Sequence, residues 1–340
     1  MDRRDFLKVT AAGLAASAFP TLLSARTPAS KSRVVRLAND RFELICEGPA
    51  PTRILQLTDT HFGRTDDEHV ASDARSRKLI RALVDEQKPA LVFHTGDFIN
   101  NDKEHPDFSA IGFMNDLGTP WSLVFGNHDH SKGHPGSISL DDYYARLENH
   151  ATGFIGTESG REYGYRIDVR SGKDAPSFSL FAFNCGSPET TMKVTEGQIA
   201  WFRAQLEADA KAGRTQPILV MQHIPMVEYK ELFDAKGAKG RQGEKVCFES
   251  DSGSVFEAYR QSGRVRAVFC GHDHVNDYLG DHKGILLAYG RVSGWSGYGD
   301  WQRGGRAIDL NLKDRTFKTR VVLPAGASEK PEWNSTLEAR

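Results

Sequence analysis

The chain has 340 residues, 39% of them hydrophobic and 26% charged, with a formal net charge of −1. That length holds one large domain or two small ones, and the composition fits a globule with a buried core. The near-neutral balance, with no run of five or more like charges, excludes a strongly basic nucleic-acid-binding surface.

The first 25 residues differ from the rest. Arg3 and Arg4 open the segment RRDFLK, an uncharged stretch runs from Val9 to Phe19, and Leu23, Ser24 and Ala25 form a candidate cleavage site. The segment resembles a twin-arginine export signal. The resemblance implies passage of a folded precursor through the twin-arginine export machinery to the periplasm or beyond. Its apolar stretch is too short, and too rich in Ala and Gly, to form a stable membrane span. Residues 26–50 read as a Pro-containing lead-in, 51–323 as the main domain and 324–340 as a polar tail. Of the four cysteines, Cys46, Cys185, Cys247 and Cys270, none forms a CxxC pair, so spacing assigns no disulfide.

From Arg53 the segment RILQLTD reads as a strand, and Ser72 to Gln87 as a helix that stops before Pro89. ALVFHTGD and WSLVFGNHD are further strands, and Leu140 to Asn149 a helix. Tyr163 to Val169 and Phe178 to Phe183 are strands around a Ser-Gly-Lys-Asp turn. Thr195 and Gln198 form a capping box, with Ile199, Phe202 and Leu206 marking the buried face of the helix that follows. PILVMQH and VRAVFCGHDH are strands, as are the regions Gly284 to Tyr289, Arg306 to Leu312 and Thr316 to Val322. Helices alternate with strands centrally, while strands follow strands later, which predicts a mixed sheet or two face-packed sheets with helices outside.

Five of these strands end in polar motifs: LTDTHFG, TGDFIN, FGNHDH, MQHIP and CGHDHVND. They supply Asp59, His61, Asp97, Asn127, His128, Asp129, His223, His272 and His274. Ligands collect at the carboxyl ends of strands in such folds, so the motifs converge on one predicted site. Oxygen and imidazole donors suit Zn, Mn or Fe, and the set is large enough for two divalent or trivalent ions bridged by one carboxylate. Two cations about 3.5–4 Å apart neutralise a phosphate ester, generate hydroxide near neutral pH and clamp the attacking and leaving oxygens.

In this order the motifs DTH, GD, GNHD, a later isolated His and GHDH resemble those of the calcineurin-like metallophosphoesterases, from about Arg53 to about Leu312. The segments QHIP, GRQGEKVCFESDSGSVFEAY, VFCGHDHVNDYLG and AYGRVSGWSGYGDWQRGGRA are similar to the purple-acid-phosphatase-like phosphoesterases of fungi and plants. The resemblance implies an α/β fold, a four-layer αββα sandwich of two mixed sheets with a dinuclear metal site at strand ends. It implies that Asp59, His61 and His274 hold one metal, that Asn127, His223 and His272 hold the other, and that Asp97 bridges them. His128 would not bind metal but would face the phosphate and help the leaving oxygen depart. Purple acid phosphatases carry a Tyr three residues after the GD aspartate; this chain has Asn100, so no purple band is expected. Asp129 or Asn100 then becomes the candidate to orient His128.

His94 reads as a core histidine, and His69, His105, His150 and His282 as surface residues. His130 and His134 are candidates for the substrate mouth. Trp295, Tyr298, Trp301 and Arg303 read either as a substrate rim, with Arg303 meeting phosphate, or as a packed hairpin. Lys230 to Lys245 reads as a mobile surface loop. The expected function is an exported two-metal phosphoesterase acting on a small phosphorylated substrate, a monoester ahead of a diester or nucleotide. The alternative is a metalloprotein that binds a phosphorylated ligand without turnover.

Overall fold

The computed structural model describes residues 31–48, 51–63, 67–149, 154–155, 164–184, 193–248 and 253–328. The candidate export signal, Cys185 and most of the polar tail lie outside these residues. Two mixed sheets carry the fold. The smaller has β14 (Thr316–Val322), β13 (Gly305–Asn311), β3 (Thr52–Leu57), β4 (Leu91–His94), β5 (Trp121–Leu123) and β6 (Phe154–Ile155), in that order. The larger runs β1 (Lys31–Ala38), β2 (Arg41–Glu47), β7 (Tyr165–Ser171), β8 (Phe178–Phe183), β9 (Ile218–Gln222), β10 (Val265–Cys270), β12 (Ile285–Tyr289) and β11 (Leu279–His282).

The sheets face each other across a dry core that includes Leu44, Ile54, Phe93, Ile167, Leu180, Met221, Phe269 and Ile308. Each such side chain contributes roughly 1.5–3 kcal/mol by leaving water. The outer face of the larger sheet packs on α4 (Glu196–Lys211), α5 (Val227–Asp234) and α6 (Ser254–Gln261) through Phe181, Phe202, Tyr229 and Phe256. The outer face of the smaller sheet packs on α1 (Asp67–Gln87), α2 (Ser109–Asn115) and α3 (Leu140–Asn149) through Leu55, Leu83, Met114 and Leu147. This is the four-layer αββα arrangement expected. Buried on both faces, the central strands β4 and β9 read as unbroken apolar runs rather than as alternations.

The capping box is present: Gln198 N donates to Thr195 Oγ1 at 3.2 Å, and Thr195 N donates to Gln198 Oε1 at 2.7 Å. Part of the lead-in belongs to the fold, because β1 and β2 pair antiparallel and β2 then extends the larger sheet parallel to β7. Lys230 to Lys245 is more ordered than expected. It begins inside α5, and Lys239 and Gln242 then form bridges to Leu279 and Asn276. No helix among the described residues is long and apolar enough to cross a membrane.

Candidate metal centre

Strands β3 and β4 run parallel, as do β4 and β5 in the same sheet. In the other sheet β9 and β10 are also parallel. All five motifs therefore leave their strands at the same end of the sandwich. The chain turns there at a cost. Asp59 (φ 54°), His61 (φ 51°), Asp97 (φ 53°) and His272 (φ 78°) all occupy the left-handed region. Each such residue stores roughly 1–3 kcal/mol that surrounding contacts must offset. The packing also demands small neighbours. A Cβ on Gly126 would lie 2.3 Å from Asp97 Oδ1, and one on Gly96 (φ +94°) 2.5 Å from His223 Nδ1.

Among the described residues four groups have donor atoms mutually within 4.8 Å, and two of them match the expected ligand sets: Asp59, His61 and His274, and Asp97, His223 and His272; the others are His61, Asp97 and His128, and Cys247, His272 and Asp273. His61 Nε2 and His274 Nε2 are 3.0 Å apart, and Asp59 Oδ1 lies 3.5 Å from His274 Nε2. Asp97 Oδ2 is 3.1 Å from His223 Nε2 and 3.7 Å from His61 Nε2, so this carboxylate reaches both groups. The buried Asn127 Oδ1 has no hydrogen-bond partner. Orphaned buried acceptors are rare, and a bound cation would satisfy it. The donor set is oxygen and imidazole throughout, as Zn, Mn or Fe would require. These residues fit a two-metal centre.

Neighbouring groups fix the ligands' orientation. His223 Nδ1 is 2.7 Å from the Thr95 carbonyl, which directs Nε2 to the cluster. His61 Nδ1 meets Asn100 Oδ1 at 2.9 Å, while Asn100 Nδ2 donates to the His61 carbonyl at 2.9 Å. Asp59 accepts the His272 N–H at 3.1 Å and the Thr58 hydroxyl at 2.7 Å. Burial pulls His61 down to about 4 and His272 to about 3. Burial also opposes a charge on His223, but Asp97 and Asp59 outweigh it and push its pKa up to about 9. Proton and cation thus compete for the same carboxylates.

His128 lines a cleft of about 340 Å³ beside this cluster, together with His61, Asp97, Lys103, Glu244, Cys247 and Tyr298. Its Nδ1 lies 3.0 Å from Asp102 Oδ1. Asp102, not Asp129 or Asn100, is therefore the residue that orients it. Asn100 serves His61 instead. Asp129 is fully buried and accepts the N–H groups of Phe98, Ile99 and Gly126, at 3.0, 3.0 and 2.8 Å, tying the TGDFIN turn to the GNHD turn. That is a structural role, and the expectation that Asp129 orients the catalytic His128 is corrected accordingly. Burial and the nearby Asp97 push its pKa up to about 7.

Arg303 also departs from expectation. It is 1% exposed, and its guanidinium donates to the carbonyls of Gly294, Trp301, Gly297, Tyr298 and Gly299. It shapes the glycine-rich loop from within and has no donor aimed at a phosphate. Tyr298 does reach the rim: its ring stacks on His274 at 3.9 Å, and its hydroxyl donates to Glu244 Oε1 at 2.8 Å. His130 is buried against Phe125 rather than at the mouth, and His134 is exposed outside the cleft lining. His94 is a core residue, as expected, 3.0 Å from the Thr60 hydroxyl.

Sequence reasoning missed Asp102 and Glu244. Asp102 lies five residues beyond Asp97 in the same turn, so an acid within GDFINND was the available signal. Glu244 lies in GRQGEKVCFESDSGSVFEAY, a segment the resemblance singled out without giving Glu244 a role.

A model of the calcineurin-like phosphoesterase family matches residues 52–276. A protein of Arabidopsis thaliana named probable inactive purple acid phosphatase 28 is 30% identical over 305 residues, covering 76% of this chain and 75% of its own. Phosphatase DCR2 of Saccharomyces cerevisiae is 25% identical over 327 residues, covering 84% of this chain and 56% of its own. The solved structure of a dimetal phosphatase from Danio rerio superposes with a TM-score of 0.58 at 13% identity. It covers 86% of this chain and 99% of that one, and the likeness is one of fold.

Proposed function

We propose that this chain, which belongs to the calcineurin-like phosphoesterase family, hydrolyses small phosphate monoesters with two bound metal ions. The observation that carries this reading is the position of Asp97. Its carboxylate is common to two groups of ligands, and His128 stands over the same carboxylate from the cleft. When bound, the ion pair supplies positive charge against the ester and lowers the pKa of water at the phosphorus. The chain's own residues do the rest. Asp97 Oδ1 accepts the His128 N–H at 2.8 Å, which sets the histidine's backbone against the centre. Asp102 engages Nδ1, leaving Nε2 to give a proton or hydrogen bond to the departing oxygen. Lys103 adds a cation to the cleft, which favours a monoester, with its extra negative charge, over a diester.

The Arabidopsis relative carries the word inactive in its name, which keeps a second reading in view: a phospholigand-binding metalloprotein. In this chain all seven proposed ligands and His128 are present. The test is a metal-loaded protein given chromogenic mono- and diesters. Faster monoester hydrolysis, abolished by chelation, supports the proposal. A faster diester overturns the monoester assignment, and no turnover with both ions bound overturns the enzymatic one.

Export by the twin-arginine route to the periplasm is part of the same proposal. It rests on Arg3, Arg4 and the uncharged stretch after them. Replacing both arginines by lysine should leave the protein in the cytoplasmic fraction; unchanged export would refute it.

A further inference from the structure

Beside His128, two lysines gather on one buried carboxylate. Asp102 is fully buried, and its carboxylate meets three basic groups. These are His128 Nδ1 at 3.0 Å, Lys132 Nζ at 3.0 Å and Lys103 Nζ at 3.6 Å. One negative charge thus serves two ammonium groups before the imidazole is counted, so a net positive charge remains even with His128 neutral. Lys103 lines the cleft, and Lys132, outside that lining, is held beside it on the same carboxylate; the side chains are 47% and 60% exposed, so their remaining donors face solvent. Elsewhere in the lining, Glu244 is occupied by the Tyr298 hydroxyl and by the Val275 N–H.

We propose that Lys103 and Lys132 form a leaving-group subsite that selects phosphate monoesters whose alcohol carries a second anionic group. The inference rests on the monoesterase reading, in which His128 faces the departing oxygen. A group bonded to that oxygen extends past His128, toward the two lysines. A carboxylate or second phosphate there receives charge-assisted hydrogen bonds from ammonium groups that a buried carboxylate already holds in place. An alkyl or neutral alcohol receives none. The lysines are specificity residues in this account, and they take no part in the bond that breaks.

The test compares two esters that differ only at the far end of the alcohol, propyl phosphate and 3-(phosphonooxy)propanoate. The metal-loaded parent should favour the carboxylated ester by about tenfold in kcat/KM, the worth of one charged hydrogen bond. Raising the salt should shrink that preference, since the subsite is at the surface. Lys103→Met should lower the ratio, and the Lys103→Met, Lys132→Met double variant should bring it near one. Because both lysines also touch Asp102, the ratio is the readout rather than either rate alone. Calorimetry with the non-hydrolysable analogues butylphosphonate and 4-phosphonobutanoate gives the same comparison without turnover. Propyl phosphate hydrolysis with a parent ratio near one overturns the subsite and leaves the proposed function standing. No hydrolysis of either ester or of a chromogenic monoester overturns the proposed function, and the ratio of the two analogue affinities then decides the subsite. A preference that survives in the double variant places the anion elsewhere and refutes the assignment.

Discussion

His128 and Asp102 are joined twice: the ring Nδ1 of His128 lies 3.0 Å from Asp102 Oδ1, and the Asp102 N–H donates to the His128 carbonyl at 3.2 Å. The two residues come from different motif turns, so the pair locks one turn to the other. Burial alone would raise the Asp102 pKa, but the hydrogen bonds from His128 and Lys132 outweigh it and hold the carboxyl at about 2.

Asp102→Asn should therefore lower kcat with little change in KM, because it misplaces His128 without touching the metal ligands. The loss should reach about 10²-fold on an alkyl phosphate, the low end of general-acid contributions. It should be much smaller on 4-nitrophenyl phosphate, whose leaving group needs little protonation. Equal losses on both esters would show that Asp102 acts only by supporting the fold. His128→Ala should show the same leaving-group dependence with metal content unchanged.

Asn100 holds His61 at both ends, through Nδ1 and through its backbone carbonyl. Asn100→Ala should weaken the metal bound by His61 by about 10–100-fold, as outer-shell partners usually do. Competition with a chelator of known affinity measures this. Unchanged affinity would mean that the His61 ring is fixed by packing alone.

Arg303→Met tests whether the arginine is scaffold or substrate ligand. Five carbonyls would lose their buried donor. The expected cost is about 2–4 kcal/mol, seen as a lower Tm. A normal Tm with a raised KM would restore the phosphate-binding role.

Asp309 gives a pH-dependent term far from the metal centre. Burial opposes its charge, but hydrogen bonds from Arg53 and Arg320 outweigh burial and hold its pKa below the ordinary value. The resulting stability is present above the unfolded-state pKa, about 4, and is lost as pH falls through the lower folded-state pKa. At pH 7, Asp309→Asn should lower Tm by a few degrees, corresponding to about 1 kcal/mol. The difference from the parent should close as pH falls below about 4 toward the depressed value. A gap that persists in acid would assign the loss to packing.

The strands and their polar ends were legible because each motif sits directly after an apolar run, and parallel pairing then forces those ends together. That Asp97 is the shared carboxylate came from the resemblance of the motifs to the family's, not from their order along the chain. The partner of His128 could not be read, since Asp102, Asn100 and Asp129 all lie close to His128 or Asp97 in sequence and only the turn geometry separates them. Asp129 points inward because four backbone and hydroxyl donors converge on it, Tyr143 among them at 3.3 Å. Arg303 misled because a guanidinium among glycines has the composition of an anion site, whereas here the surrounding carbonyls are its acceptors. The strands β1 and β2 were missed because their sequence is polar on the outer face of an edge hairpin.

Metal stoichiometry tests the shared carboxylate most directly. The parent protein, purified and loaded with Mn, Zn or Fe, should bind two ions per chain, and Asp97→Ala should lose affinity for both together. One ion per parent chain, or an Asp97→Ala protein that releases one ion and keeps the other at full affinity, would contradict the account.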